Sequence, residues 1–283
     1  MPDVTVITGA SGGLGLTTAR HLLHAGRDVV LIGRDAARTA AAARTLRGPT
    51  ADVRTYVADL TRQAEVRGLA ARLAEDGPPI GVLINNAGAA FSRYEQTPEG
   101  AERTYAVNHH APFLLTHTLL ASGALTADAR IINVSSFVEK RGKLDREDPD
   151  VSGTSWATRL YSQIHVYATS KLLNLLAGSE LARRLPAGMR VYHANPGMVK
   201  DTGFNAGAGG LMRLTAPLLR PFAITPDEGV QTITWLATTP QPPHPSGGFY
   251  TTSRPGTPSR QAQDLDLASL VYERTASMLG LSH

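Results

Sequence analysis

The segment VYATSKLLNLL, from Val166 to Leu176, sets a phenol and an ammonium one helical turn apart, at Tyr167 and Lys171. Residues four apart share a helix face. Lys171 therefore brings positive charge near the tyrosine oxygen, which favours phenolate and draws its pKa down from about 10. A tyrosine tuned this way can give a proton to a carbonyl oxygen or take one from an alcohol. The competing reading is a core aromatic beside a lysine that snorkels outward. Tyr161 lies six residues earlier with His165, not lysine, four residues on, so it suits a pocket wall or simple packing.

The N-terminal stretch VTVITGASGGLG, Val4 to Gly15, reads as a strand, a glycine turn and a helix start. Gly9 allows a sharp turn, Gly13 a close approach of backbone to a pyrophosphate, and Gly15 tight helix–strand packing. Ser11 and Leu14 complete the turn. The free N–H groups and positive dipole end of the following helix would hold phosphate. The second strand ends in Gly33 and Arg34, with Arg38 one turn later, where an NAD site would offer a carboxylate. A guanidinium pairs with a 2′-phosphate, so the expected cofactor is NADP(H). Asp35 is either a helix N-cap or a ribose contact.

Those residues need a scaffold, and the chain supplies a regular one. Apolar strand-like runs occur at Val4–Thr8, Val29–Ile32, Val53–Val57, Ile80–Ile84, Arg130–Val134 and Arg190–Ala194. Helical stretches lie between them at Leu14–Ala25, Ala36–Leu46, Gln63–Ala74, Glu99–Ala121 and Tyr167–Leu185. This alternation predicts an α/β Rossmann fold, a doubly wound parallel sheet with helices on both faces. No repeat or linker divides residues 1–283, so a single domain is expected.

Seven short motifs appear in order: the glycine turn, VADL (57–60), NNAG (85–88), VN (107–108), VSS (134–136), YATSK (167–171) and NPG (195–197). Together they resemble the short-chain dehydrogenase/reductase family. VNHHAPFLLT, YATSKLLNLLAGSELARRL and SGGFYTTSRPGTPS resemble its retinol-dehydrogenase-like branch and protochlorophyllide-reductase relatives. The resemblance implies an NADP-dependent carbonyl reductase or alcohol dehydrogenase with Tyr167 as general acid/base. It implies that Lys171 also bonds the nicotinamide ribose, that Ser136 bonds the substrate oxygen, and that Asn108 holds a proton-relay water. Asp59 and Leu60 should then border the adenine, and Asn86, Ala87 and Gly88 the adenosine ribose. Pro196, Gly197, Val199 and Thr202 should reach the nicotinamide end. Lys200 and Asp201 separate Val199 from Thr202, where the family often has a shorter spacing.

Two stretches depart from the family rhythm. A charged insert, EKRGKLDREDPD from Glu139, separates Ser136 from Tyr167, and Trp156, Leu160 and Tyr161 after it could wall a substrate pocket. Residues 202–226, with Phe204, Leu211 and Met212, could form a lid. Aromatic and aliphatic linings suit a bulky hydrophobic carbonyl or alcohol substrate, such as a polyketide-type ketone. A surface loop or an oligomer contact are the alternatives for these stretches. At the level of function, the alternatives are a non-catalytic NADP-binding regulator and a sugar-nucleotide epimerase or dehydratase.

Composition narrows the classes further. The chain is 42% hydrophobic and 18% charged, as in ordinary globular proteins. Cysteine is absent, so no disulfide framework or thiolate metal site is expected. His109 and His110 are adjacent and do not share a helix face, so no metal is expected there. The net charge of +4 comes from scattered arginines without aromatic interleaving, which argues against nucleic acid. No apolar run reaches the ~20 residues of a membrane helix, and no signal peptide is visible. A cytoplasmic monomer or homo-oligomer is the expectation.

Overall fold

The computed structural model describes residues 3–46, 52–200, 223–241 and 246–281. Thr202, Phe204, Leu211 and Met212, and most of the expected lid, lie outside the described residues.

β-branched apolar runs form the strands. The sequence VTVIT gives β1 (Val4–Thr8), and VVLIG gives β2 (Val29–Gly33); both are buried throughout. Unbroken burial marks strands covered on both faces. β3 (Val53–Val57), β4 (Ile80–Asn85), β5 (Leu125–Val134) and β6 (Arg190–Asn195) follow, then the short β7 (Phe249–Thr251) and β8 (Arg254–Pro255). They make one eight-stranded sheet in the order β3-β2-β1-β4-β5-β6-β7-β8. Every pairing is parallel except β7 with β8.

Alternate strand residues feed two cores, because successive side chains point to opposite faces. Val6, Val30, Leu83, Ile131 and Val191 meet helices α3 (Gln63–Asp76), α5 (Ala111–Ala121), α6 (Gln163–Arg184) and α9 (Leu265–Met278). Ile7, Leu31, Ile84, Ile132 and Tyr192 meet α1 (Gly13–His24) and α8 (Gln231–Thr238) on the other face. The remaining helices are α2 (Ala36–Thr45), the single turn α4 (Arg103–Tyr105) and the single turn α7 (Pro226–Gly229). The fold is the expected Rossmann arrangement as a single domain. Among the described residues no helix is long and apolar enough to cross a membrane.

Three expectations about elements need correction. The helix expected over Glu99–Ala121 starts only at Arg103. Gly100 takes a positive φ of 87°, and Gln96 and Glu102 pair as an isolated bridge ahead of the helix. The same stretch is then broken by a π-helical segment, Ala106–His110, in which the Ala111 amide bonds to the Ala106 carbonyl. Pro112 follows at once; a proline cannot donate within a helix and crowds the preceding turn. Third, β5 begins at Leu125 rather than Arg130, and β7 and β8 extend the sheet beyond the six expected strands.

Candidate active site

Among the described residues, the glycine turn, Asn86–Gly88, Ser136 and Pro196–Gly197 follow the carboxyl ends of parallel strands, the usual ligand face of such sheets. β1 delivers Gly9, β4 delivers the segment Asn86–Gly88, β5 delivers Ser136, and β6 delivers Pro196 and Gly197.

The glycine turn is built for close approach. Gly9 has φ of 68°, and a Cβ there would lie 2.9 Å from the Ala87 Cα. Gly13 has φ of 54° and opens α1. A Cβ on Gly15 would fall 2.6 Å from Asn86 Nδ2. Among the described residues no side chain caps the N-terminus of α1, which leaves its first amides for an anion. Asn86 Nδ2 donates to the Thr8 carbonyl at 2.8 Å, and Thr8 Oγ1 accepts from the Asn86 and Ala87 amides at 3.0 Å each. The Asn86 side chain therefore braces the turn from below.

Arg34 and Arg38 are both exposed, beside the carboxyl end of β2. The Arg38 guanidinium reaches back over the turn: a Cβ on Gly12 would stand 3.8 Å from its Nη2. Asp35 caps α2, accepting from the Arg38 amide at 2.8 Å. Ser11 lies against the end of β2, its Cβ 3.2 Å from a Cβ placed on Gly33. The residues present fit a dinucleotide with a phosphate on its adenosine side. Asp59 turns its carboxylate onto its own loop, accepting from the Thr61 amide and hydroxyl at 3.0 and 2.8 Å, and Leu60 packs partly against the core. At the far end, Val199 and Leu14 both crowd Gly229 of α7; a Cβ there would sit 2.6 Å from Val199 Cγ2 and 3.2 Å from Leu14 Cδ2. Gly197 takes φ of 78°.

Asn108, Ser136, Tyr167 and Lys171 converge at the centre. Helix α6 starts at Gln163, one turn before the expected start at Tyr167, so both Tyr167 and Lys171 lie in regular helix. Tyr167 is hydrogen-bonded to Ser136. Ser135 points the other way, its buried hydroxyl without a partner among the described residues. Lys171 is 5% exposed and donates from Nζ to the Val134 carbonyl at 2.8 Å. Its Nζ lies 5.7 Å from the centre of the Tyr167 ring. A Cβ on Gly88 would lie 3.5 Å from that Nζ and 3.6 Å from Asn108 Oδ1.

The electrostatics correct one expectation. Burial pushes the Tyr167 phenol up to about 12, against the smaller lowering from the Ser136 hydrogen bond. Burial also brings Lys171 down to about 8. The expected depression of the phenol by the ammonium is absent, because removing both groups from water disfavours both charges. At neutral pH the phenol keeps its proton and is a donor.

Asn108 occupies the π segment. Its Oδ1 accepts from the Ala89 amide at 2.8 Å, while its Nδ2 donates to the Ala89 carbonyl and to Ser170 Oγ, each at 2.9 Å. Asn174 Nδ2 bonds the Asn108 carbonyl at 3.2 Å. Sequence reasoning missed Ser170 and Asn174, although Ser170 lies inside YATSK and Asn174 one turn beyond. It also missed Phe137, which follows Ser136 directly and is 45% exposed. His109 and His110 bond Thr275 Oγ1 and the Val151 carbonyl at 2.8 Å each. Among the described residues no cluster of three potential metal ligands occurs.

The insert folds back over Tyr105. Trp156 Nε1 donates to the Tyr105 hydroxyl at 3.2 Å, and Tyr161 packs edge-on against Trp156 with ring centres 6.4 Å apart. Leu160 takes no part in this packing: it is 94% exposed.

Comparison with known proteins agrees with this arrangement. The family model described as short chain dehydrogenase matches residues 3–145. Human retinol dehydrogenase 13 is 32% identical over 289 residues, covering 99% of this chain and 86% of its own length. DnrU of Streptomyces sp. (strain C5), provisionally named a daunorubicin C-13 ketoreductase, is 35% identical over 286 residues, with 99% and 94% covered. The blue fluorescent protein from a metagenomic library, solved in complex with NADPH, superposes with a TM-score of 0.68 at 28% identity, over 88% of this chain and 95% of that one. The glycine turn, the Ser136–Tyr167–Lys171 group and these likenesses make the chain a member of the short-chain dehydrogenase family, on its retinol-dehydrogenase-like branch, and an NAD(P)-dependent oxidoreductase of alcohol and carbonyl groups.

Proposed function

We propose that the protein reduces a bulky hydrophobic or aromatic ketone, of polyketide type, with NADPH. The observation that carries the chemistry is Tyr167, hydrogen-bonded to Ser136 and held as neutral phenol beside buried Lys171. The Arg38 guanidinium over the glycine turn supports NADPH over NADH, as does the NADPH-bound relative. The named ketoreductase relative supports the direction and the substrate class.

NADPH, when bound in the glycine turn, supplies the hydride. Ser136 Oγ orients the carbonyl oxygen, and Tyr167 gives that oxygen its proton. Lys171 stabilises the phenolate left behind, which lowers the cost of the transfer. Asn108 carries the backbone of the π segment that borders Lys171, and a water there would return the proton.

The test follows NADPH consumption with a panel of aliphatic, aryl and polycyclic ketones, and repeats it with NADH. Turnover should rise toward the aromatic ketones, and NADPH should bind tighter than NADH. Changing Arg34 and Arg38 to alanine should weaken NADPH and leave NADH nearly untouched. Equal affinity for both cofactors in the unaltered protein, or no turnover of any ketone, would refute the reading.

A further inference from the structure

The insert between Ser136 and Tyr167 is tied to the helix that carries Asn108. Glu102 is the N-cap of that helix and is 0% exposed. Its Oε2 accepts from the Thr104 and Tyr105 amides at 2.7 and 3.0 Å. Its Oε1 accepts from Thr104 Oγ1 at 3.1 Å and from the Tyr161 hydroxyl at 3.0 Å. The same hydroxyl lies 3.2 Å from the Phe91 carbonyl. Tyr161 thus bridges the cap to the segment that follows Asn86–Gly88.

A lone carboxylate has little reason to be fully buried. Burial holds it above the ordinary carboxylate range, and only its hydrogen bonds offset that cost. Two amides would suffice for a cap, so the phenol is an addition. Neighbouring contacts share the same geometry. The Glu102 amide donates to the Ser152 carbonyl at 2.8 Å, and His110 bonds the Val151 carbonyl. Gly153, with φ of 73°, lets the insert pass so close that a Cβ would sit 2.7 Å from the Glu102 Cβ. Asp150 ties the insert to itself, accepting from the Ser152, Gly153 and Ser155 amides at 3.1, 2.7 and 2.9 Å. This segment is therefore internally braced and fixed along one edge to the region of Glu102.

We propose that Glu102 is a positioning residue for substrate selection: it latches Tyr161, whose ring packs on the separately anchored Trp156, at a set distance from the helix bearing Asn108. The inference rests on the ketone-reductase reading above and adds which residue sets its preference for bulky substrates. The latch does not touch the reacting atoms. Its effect falls on how well a large ring is held, and so on KM more than on kcat.

The test uses Tyr161→Phe, which keeps the ring and removes only the hydroxyl, together with Glu102→Gln and the double variant. Steady-state rates are measured with a small aliphatic ketone and a polycyclic aromatic ketone at saturating NADPH. Losing a hydrogen bond to a buried carboxylate should raise KM for the aromatic ketone about tenfold and shift the preference between the two ketones by the same factor. The double variant should be no worse than the worse single one, since both substitutions act on the Glu102–Tyr161 bond. Equal losses on both ketones, or losses in kcat alone, would overturn the assignment. Hydrogen exchange of the unliganded protein separates the two claims. Amides of Trp156–Ser162 should exchange faster in Tyr161→Phe; unchanged exchange overturns the latch whatever the enzyme reduces. An unaltered protein that turns over neither ketone, with faster exchange in the variant, overturns the function and leaves the latch standing.

Discussion

At the residue scale, the proton inventory decides the chemistry. Tyr167→Phe removes the proton and keeps the ring, so the variant should fold and bind NADPH. Ketone turnover should drop by roughly the 10²–10⁴-fold that a positioned acid contributes. A fully active Tyr167→Phe protein would exclude this tyrosine as the donor. Lys171 gives an independent check, because burial lowers it to about 8. Below that pH the ammonium is present and can stabilise phenolate; above it the charge is lost. The kcat/KM for ketone reduction, which follows the free enzyme, should therefore fall as pH rises through about 8. A pH profile still climbing at pH 9 would count against a role for the ammonium.

At the element scale, α6 must lie close on the sheet for its tyrosine and lysine to reach the carboxyl edge. Gly178 makes that possible two turns beyond Lys171. A Cβ there would stand 2.3 Å from His193 Cε1 and 3.1 Å from Asn133 Nδ2. Alanine for glycine inside a helix ordinarily gains about 0.5–1 kcal/mol. Overpacking of this kind costs about 1–3 kcal/mol, so the clash should win and Gly178→Ala should melt earlier, by several degrees. A raised melting temperature would show that the helix can lift without penalty. This element also shows what a linear reading can reach. Tyr167, Lys171 and the glycine turn were legible because each motif is itself contained within one helical turn or one tight loop, although the bonds from Tyr167 to Ser136 and from Lys171 to the Val134 carbonyl span more than 30 residues. The Glu102–Tyr161 contact was not, because it joins residues 59 apart in sequence. The π segment was hidden for another reason. Ala106–His110 is buried along its whole length, and the shifted hydrogen-bond ladder that distinguishes it leaves no mark in five residues of sequence. Strands β7 and β8 are three and two residues long, too short for any alternation to show. The phenol's raised pKa was missed because sequence spacing shows the neighbouring charge but not the loss of water around both groups.

At the scale of the whole molecule, three interior histidines tie stability to pH. Burial holds His110 down to about 4, His193 to about 3, and His109 well below its ordinary value. In the unfolded chain each ring takes a proton as pH falls through about 6.5, whereas in the folded chain none does until far lower. Unfolding then takes up protons, so stability is full above about 6.5 and declines below it. The slope approaches about 1.4 kcal/mol per pH unit for each ring. Urea unfolding at pH 7, 6 and 5 should show this decline with an unchanged m-value; a flat profile would mean the rings are protonated in the native state. The two ends of the sheet carry a different consequence. A strand with one free side is a template on which a second chain can add. Among the described residues, β8 at one end finishes in Pro255, which has no N–H to offer, and β3 at the other presents Arg54, exposed and charged. Proline and charge at open edges both obstruct strand addition. An eight-stranded sheet assembled largely from long-range parallel pairings, slow to complete, is thus shielded at both margins from joining its neighbours edge to edge.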